Sequence, residues 1–287
     1  MPPLWMILAS MDMMSWGVGQ VVVKRATDRL GAVTMVLLVS VVDGALYFVL
    51  FGLLAGPMAV GSWETYAFAS ASAVTGMVGY ILYYEALLRG NVAVVGTISA
   101  GSPIITILGA IAFLGETPSA FQAVGIALLV AVVLILSYEP IGEEWRIPVA
   151  VALSIGILVL WGVWGLLTKV AVNDPGFDSF HLLAFYGALN FIMGPPYYLW
   201  RRKRARPLDP SRRAYATAIV GVLLLIIGIV ATTVALSIGD ASLVTAVSGS
   251  YPVVTAIVAF LFLKEKVTLP RILAIALFVP GIVLVAS

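Results

Sequence analysis

The sequence contains no cysteine and very little charge. Without cysteine, disulfides, thiolate metal sites and cysteine nucleophiles are all excluded. Only 10% of the 287 residues are charged, whereas a soluble domain carries about 25%. Because 62% of the residues are hydrophobic, the chain cannot cover a water-facing surface. We therefore expect an integral membrane protein whose surroundings are the lipid bilayer.

Other features that the sequence lacks disfavour particular classes of function. The sole histidine, His181, and the scattered acidic residues disfavour a membrane enzyme, which would cluster such groups at one interface. No G-x-x-x-x-G-K-[ST] loop occurs, so no built-in ATPase is expected to supply energy. We expect no cofactor and no metal. The N-terminus lacks the basic region of a secretory signal, so the first helix is expected to direct membrane insertion.

Long apolar stretches follow one another along the whole chain. A helix needs about 20 apolar residues to cross the hydrocarbon core of a bilayer. Ten stretches qualify, at about residues 4–24, 32–54, 65–88, 92–114, 119–138, 148–170, 178–200, 213–238, 241–263 and 268–286. The connections are short and marked by Gly and Pro, and none could hold a second, soluble domain. The sequence therefore predicts an all-α membrane protein with ten transmembrane helices.

The fourth apolar stretch recurs as the ninth. Residues 90–116 read GNVAVVGTISAGSPIITILGAIAFLGE, and residues 239–265 read GDASLVTAVSGSYPVVTAIVAFLFLKE, with nine identical positions and no gap. Each copy holds a proline, Pro103 in the first and Pro252 in the second. Proline removes a backbone hydrogen bond and tends to kink a helix. We predict a hinge at each proline.

Shorter matches extend this duplication. The segment WGVGQVVVK at 16–24 recurs as WGVWGLLTK at 161–169, and every match pairs helix n with helix n+5. The chain thus divides into repeats 1–138 and 148–287, joined by a connector at 139–147. A unit of five helices ends on the opposite side of the membrane, so its copy must be inverted. Inverted repeats around a central cavity are typical of secondary transporters that work by alternating access.

Lys and Arg lie almost entirely in the odd-numbered connections between helices. The positive-inside rule places such connections in the cytoplasm. We therefore expect a multi-pass protein of the cell's inner or plasma membrane, with both termini outside. The basic run at 201–213 is interpreted as this topology signal, and no nucleic-acid partner is expected.

Several motifs carry a family resemblance. They are Trp16, Gly17, Lys24, Ala86-Leu87, Pro103, Gly115-Glu116, Gln122 and Gly125, repeated in the second half as Trp161, Gly162, Lys169, Ala235-Leu236, Pro252 and Glu265. In these features the whole chain resembles the drug/metabolite transporter superfamily, specifically ten-helix EamA-type permeases such as the aromatic amino-acid exporters. The tenth helix departs from the pattern, with Arg271 and Ala274 at the positions of Gln122 and Gly125. The family is also usually drawn with cytoplasmic termini, against the charge count.

The resemblance implies the export of small organic solutes, often amino acids or related metabolites. It also implies a central cavity built from helices 1, 3, 4, 6, 8 and 9, with helices 5 and 10 at the periphery. One chain with ten helices can build such a cavity, so a monomer is expected to suffice.

Polar and aromatic groups within the spans are the candidate site residues. A charged side chain at the bilayer centre costs about 2.5–3.5 kcal/mol on insertion scales. We therefore expect each charged residue within a span to have a structural or functional role. For the substrate site we name Trp16, Gln20, Tyr80, Tyr84, Ser99, Ser102, Trp161, Trp164, Ser248 and Tyr251. Asp12 and Asp43 are candidates for proton coupling; the alternatives are an interfacial charge and a helix-packing contact. The repeat-equivalent Lys24 and Lys169 either gate the two faces or anchor their helices by snorkelling.

A secondary transporter that exports small organic metabolites, with amino acids as the leading class, fits these observations best. One alternative is a passive channel or facilitator for small neutral solutes, which would favour a continuous polar stripe that the sequence lacks. Another is a nucleotide-sugar-like antiporter. Such a carrier would need several Lys or Arg within the membrane to bind its doubly charged anionic substrate, and none lies deep in a span.

Overall fold

A computed structural model describes residues 2–57, 62–87, 89, 92–137, 149–204, 209–263 and 269–287. The predicted connector and Glu265 lie outside these residues. All regular structure in the described ranges is helical. The helices are α1 (Leu4–Leu30), α2 (Ala32–Leu54), α3 (Trp63–Leu87), α4 (Val92–Ser99), α5 (Ser102–Phe113), α6 (Ala120–Ser137), α7 (Val149–Val172), α8 (Ser179–Arg201), α9 (Arg212–Ile238), α10 (Ala241–Ser248), α11 (Tyr251–Leu263) and α12 (Leu269–Val285).

Six helical segments in the described part of the chain are long and apolar enough to cross a membrane. They are Leu4–Leu30, Ala32–Leu54, Trp63–Leu87, Val149–Val172, Arg212–Ile238 and Ala241–Val258. Shorter apolar helices cover Ser102–Phe113, Ala120–Ile135 and Ile272–Val285. The protein is therefore a multi-pass membrane protein, and a helix occupies the position of every predicted span.

Two of the predicted helices are broken near their middle. The fourth divides into α4 and α5 at residues 100–101, and the ninth divides into α10 and α11 at residues 249–250. Pro103 and Pro252 are each the second residue of the new helix. Proline is tolerated there because N–H groups in the first turn of a helix have no intrahelical acceptor. Each predicted kink is thus a full break of the helix.

The backbone at each helix break forms a tight, hydrogen-bonded turn. The N–H of Gly101 donates to the Ile98 carbonyl at 3.1 Å, and that of Ser250 donates to the Val247 carbonyl at 3.1 Å. The N–H of Gly249 donates to the preceding turn as well. Buried backbone groups need such partners because unpaired ones are costly in lipid.

Helices from the two halves pack against one another in pairs. The most extensive pairings are α1 with α9, α2 with α8, α3 with α7 and α6 with α12. Glycines let these helices approach closely, as is common between membrane helices. Gly44 on α2 packs on the ring of Phe191, while Gly187 on α8 packs on the ring of Phe48. The two rings stack with their centroids 6.1 Å apart.

One contact occurs twice, in equivalent form. Gly17 packs so closely on a valine of α11 that a Cβ would overlap its side chain, and Gly162 packs in the same way on an isoleucine of α5. Thr255 donates a hydrogen bond of 3.1 Å to the Gly17 carbonyl, and Thr106 donates one of 2.8 Å to the Gly162 carbonyl. The duplicated sequences therefore form duplicated contacts.

The two ends of the helix bundle differ in charge. We call the end that holds the α1–α2 and α8–α9 connections the basic end, and its described cations are Lys24, Arg25, Arg29, Arg89, Arg201, Arg202, Lys203, Arg212 and Arg213. We call the opposite end, where the α7–α8 and α9–α10 connections meet, the acidic end. Its described carboxylates are Glu64, Glu116, Asp174, Asp178 and Asp240.

Candidate functional site

A cavity lies at the centre of the bundle, next to both helix breaks. Its volume is about 120 Å³, measured as the space open to the centre of a water-sized sphere. One buried water needs roughly 10–15 Å³ by this measure, so the cavity holds on the order of ten waters or one small organic solute. Side chains from α1, α2, α3, α5, α7, α8, α9, α10 and α11 line it.

Aromatic rings form one wall of the cavity. Trp16 lies edge-on to Trp161 with centroids 6.2 Å apart, and Tyr251 lies 5.8 Å from Trp16. Tyr80 meets Trp161 edge-on at 5.5 Å. These four candidate residues come from both halves of the chain, and the structure brings all four to the cavity lining. Such edge-to-face contacts hold the rings in fixed orientations.

A second aromatic group completes the wall. Trp164, another candidate residue that lines the cavity, lies 6.2 Å from Tyr186, and Tyr186 lies 6.2 Å from Tyr47. The Tyr186 hydroxyl is held by hydroxyls of neighbouring helices, at 3.0 Å from Ser72 and 2.7 Å from Thr168. This buried network fixes Tyr186 between α3, α7 and α8, and the sequence pattern did not predict it.

Asp12 places one carboxyl group in the cavity. The side chain is only 8% exposed, and its Oδ2 accepts a hydrogen bond of 2.5 Å from Thr232 on α9. The Ser248 hydroxyl also faces this carboxyl group. Its Oδ1 has no hydrogen-bond partner in the described part of the protein. Thr232 was not among the predicted residues. The sequence feature that could have indicated it is the pair Thr232-Thr233 in the otherwise apolar α9.

Asp43 places a second carboxyl group in the same cavity. The side chain is 3% exposed, and its Oδ1 has no hydrogen-bond partner among the described residues. Within the same ranges the hydroxyl of Tyr80 is buried and without a partner as well. Tyr80 lies within electrostatic reach of both carboxyl groups.

The cavity also corrects one expectation drawn from the sequence. Helices 2 and 7 were expected to stand outside the ring of cavity helices. Instead α2 contributes Asp43 and Tyr47, and α8 contributes Tyr186 and Asn190. The pairing of α2 with α8 brings these side chains to the centre.

Some predicted residues lie away from the cavity lining. Tyr84 is 1% exposed and packs in the hydrophobic core, where its ring meets Tyr83 edge-on. The Ser99 hydroxyl donates to the Val95 carbonyl, one turn back in its own helix. Gln20 and Pro252 are half-buried and are not among the lining residues either. Of the remaining candidates, Ser102, Ser248 and Pro103 line the cavity.

Two charged side chains hold helix ends together at the acidic end of the bundle. Lys169 is buried, and its ammonium donates 2.9 Å hydrogen bonds to the carbonyls of Leu236 and Gly239, which end α9. Glu116 accepts from the N–H groups of Ala241 and Ser242, which begin α10. Each charge meets the helix end of opposite polarity. Lys169 thus lies buried against the end of α9.

The basic end is held by a different cluster. Glu85 on α3 accepts from the Tyr197 hydroxyl at 2.6 Å and from Arg201 at 2.8 Å, both on α8. Arg89, four residues further along the chain, also donates to Glu85, as the sequence spacing suggests. Lys24, the repeat equivalent of Lys169, is exposed at this end.

Asp178 caps the start of α8 at the acidic end. It accepts hydrogen bonds of 2.8 Å from the Phe180 N–H, 2.9 Å from the His181 N–H and 2.8 Å from the Gly56 N–H. Burial raises the pKa of Asp178, but the backbone donors of Gly56 and His181 outweigh burial and hold the pKa below its usual value. Asp178 therefore ties the α2–α3 connection to α8 when it is ionised.

Asp178→Ala is expected to lower stability by about 1–2 kcal/mol at neutral pH, since it removes a helix cap. The folded-state pKa is lowered, so this contribution is present above the unfolded pKa and lost as pH falls. The difference in apparent melting temperature between variant and wild type should shrink below about pH 4. Asp28→Ala, at an exposed position, is the control and should change stability by less than about 0.5 kcal/mol. A difference that stays constant to low pH would contradict this account.

The fold is that of a multi-pass membrane protein with a central cavity. A protein-family model described as "EamA-like transporter family" matches residues 3–138 and again residues 148–287. The chain belongs to the EamA-like transporter family. The resemblance to drug/metabolite transporters is confirmed, and membership implies transport of small molecules across a membrane rather than an enzymatic reaction.

Two further comparisons found similar proteins. An uncharacterised protein of Methanocaldococcus jannaschii is 28% identical over 137 residues, which are 48% of this chain and 96% of that protein. That relative is thus about as long as one of the two family matches. A solved crystal structure superposes with a TM-score of 0.77 and 14% identity, covering 98% of this chain and 95% of the other. This likeness concerns the fold alone.

Proposed function

We propose that this protein is a secondary transporter that exports small organic metabolites, with amino acids as the leading substrate class. The observation that carries the proposal is the central cavity. It adjoins both helix breaks, takes side chains from both halves of the chain, and combines aromatic, hydroxyl and carboxyl groups. Ligand sites of secondary transporters are typically built from broken helices near the bilayer midplane.

The proposed architecture is ten transmembrane helices in two inverted repeats, 1–138 and 148–287. The helix pairings support it. If each span is replaced by its equivalent in the other repeat, five spans away along the chain, the α1–α9 pair becomes the α7–α3 pair. The α2–α8 and α6–α12 pairs stay the same. The paired glycine contacts at Gly17 and Gly162 follow the same exchange.

In the proposed alternating-access cycle, Lys169 and Lys24 close opposite ends of the cavity in turn. In the present arrangement Lys169 bonds the carbonyls that end α9, and we propose that this contact closes the acidic end. Its equivalent Lys24 is exposed. We propose that Lys24 takes the carbonyls at the end of α3 when Lys169 is released, so that one end closes as the other opens. The breaks beside Pro103 and Pro252 serve as the hinges.

Asp12 and Asp43 are the proposed proton-coupling groups. Both are buried in the cavity, and each has a carboxyl oxygen without a partner among the described residues. A solute and a proton that compete for the same carboxyl groups are exchanged across the membrane. The basic end is proposed to face the cytoplasm, which puts both termini outside the inner or plasma membrane.

Transport in proteoliposomes tests the proposal. Labelled aromatic and branched amino acids are expected to enter vesicles faster when the interior is acidic, because protons leave as solute enters. Asp43→Asn should remove this acceleration, since the amide cannot carry the proton. Indifference to every solute offered would refute the proposal, and stepwise single-channel currents in a planar bilayer would favour the channel alternative. The nucleotide-sugar alternative is disfavoured because no Lys or Arg stands among the described lining residues.

A further inference from the structure

We infer that the central cavity selects organic cations, namely amines with an aromatic or apolar body, over zwitterions and anions of the same shape. The inference rests on the proposed transport function. Among small organic metabolites it favours amines over the zwitterionic amino acids named above as the leading class. It follows from the buried carboxyl groups, the aromatic walls and the lack of a counter-charge among the described lining residues.

The first observation is a pair of buried carboxyl groups that each keep one oxygen without a partner. Asp12 and Asp43 are more than nine-tenths buried and line one cavity, and the Oδ1 of each receives no hydrogen bond from the described part of the chain. Buried charges are normally paired or bound to a cation. A ligand with a positively charged nitrogen supplies the missing partner.

The second observation is the aromatic wall. Trp16, Trp161 and Trp164 line the cavity together with Tyr80 and Tyr251. A cation over the face of such a ring is attracted to it, most strongly to tryptophan and when water is excluded. The same rings offer apolar surface to the body of the ligand. The wall therefore favours the same charge as the two carboxyl groups.

The third observation concerns negative ligands. None of the described residues that line the cavity is Lys, Arg or His. Three backbone donors at the helix breaks are also committed, because the N–H groups of Gly101, Gly249 and Ser250 already donate within tight turns. Proline has no N–H to offer at Pro103 or Pro252. A ligand carboxylate would thus meet hydroxyl and amide side chains but no cation from these lining residues.

Binding of three matched probes tests the inference directly. Phenethylamine is a cation at neutral pH, phenylalanine is a zwitterion and 3-phenylpropionate is an anion, and all three share the phenyl-ethyl body. Titration calorimetry on the purified full chain should rank them in that order, with phenethylamine at least about tenfold tighter than phenylalanine. Micelles without protein correct for partition of the probes into detergent.

Variants identify the groups responsible. Asp43→Asn and Asp12→Asn should each weaken phenethylamine binding about tenfold or more and leave 3-phenylpropionate unchanged or tighter. Glu64→Gln, an exposed carboxylate at the acidic end, is the matched control and should leave the ranking intact. The ranking in wild-type protein remains a test even if a variant fails to fold.

The outcomes separate this inference from the proposed function. If phenylalanine or 3-phenylpropionate binds wild-type protein as tightly as phenethylamine, the cation preference is refuted, while transport of phenylalanine would still support the transporter. If none of the three probes binds and vesicles move none of them, both the inference and the proposed function fail. A preference for phenethylamine that survives in both Asp variants would also overturn the assignment.

Discussion

Replacing Lys169 with methionine is expected to open the acidic end of the cavity. The buried ammonium bonds two carbonyls that end α9, and methionine keeps the length of the side chain without donating. Hydrogen bonds to a charged group contribute about 1.5–3 kcal/mol each, so the closed arrangement should lose about 3–6 kcal/mol with the two bonds. That loss shifts the balance between closed and open forms by a factor of roughly 150 to 25,000.

The absence of cysteine makes this shift measurable. A single introduced thiol, Thr245→Cys in the cavity lining, reports access from either side of the membrane. A maleimide that cannot cross the bilayer, applied from the acidic-end side, should label the thiol at least about tenfold faster in the Lys169→Met background. Lys203→Met, an exposed lysine at the basic end, is the control and should leave this labelling rate unchanged. Equal rates with and without Lys169 would show that other contacts close this end.

Gly228→Ala is expected to abolish solute binding with a moderate loss of stability. A Cβ at this position would overlap Cδ1 of Trp16 and Oδ1 of Asp12, so both cavity side chains must move. Overpacking of this kind typically costs about 1–3 kcal/mol. Because the displaced groups are one ring and one carboxyl group of the site, ligand affinity should fall by more than about tenfold.

The control for this variant is another glycine on a helix. Gly52 has no neighbouring atom within 4 Å of the position that an added Cβ would take, so Gly52→Ala should leave binding unchanged. It should also gain up to about 1 kcal/mol from helix propensity. Calorimetry with a solute that binds wild-type protein, together with a melting curve, separates affinity from stability. Unchanged affinity in Gly228→Ala would mean that Trp16 and Asp12 do not hold the solute.

Much of the fold follows from patterns that a single chain displays. The apolar runs predicted where helices lie, and the duplicated prolines marked the two breaks. It was harder to predict which side of each helix faces lipid and which side packs against other helices. In spans that are apolar all round, the pattern does not distinguish a lipid-facing side from a packed side. Tyr80 and Tyr84 share a helix face by spacing, yet only Tyr80 lines the cavity, while Tyr84 is held in the core by its neighbours.

The contribution of α2 and α8 to the site depends on tertiary packing. Asp43 stood out as a charge within a span, but nothing along the chain placed it in the same cavity as Asp12, which belongs to a different helix. The α2–α8 pairing through Gly44 and Gly187 brings it to the centre. Likewise, Lys169 has the same sequence context as Lys24, and only the structure distinguishes the buried lysine from the exposed one.

The aromatic wall gives the protein a built-in optical reporter. Three of its seven tryptophans, Trp16, Trp161 and Trp164, line the cavity. Indole emission responds to the polarity around the ring and to quenching groups in contact with it. A solute that displaces water from these rings therefore changes the intrinsic fluorescence of the unlabelled chain. Titrating Trp164→Phe beside the wild type would assign that signal to the site, and the same signal would follow cavity occupancy in real time.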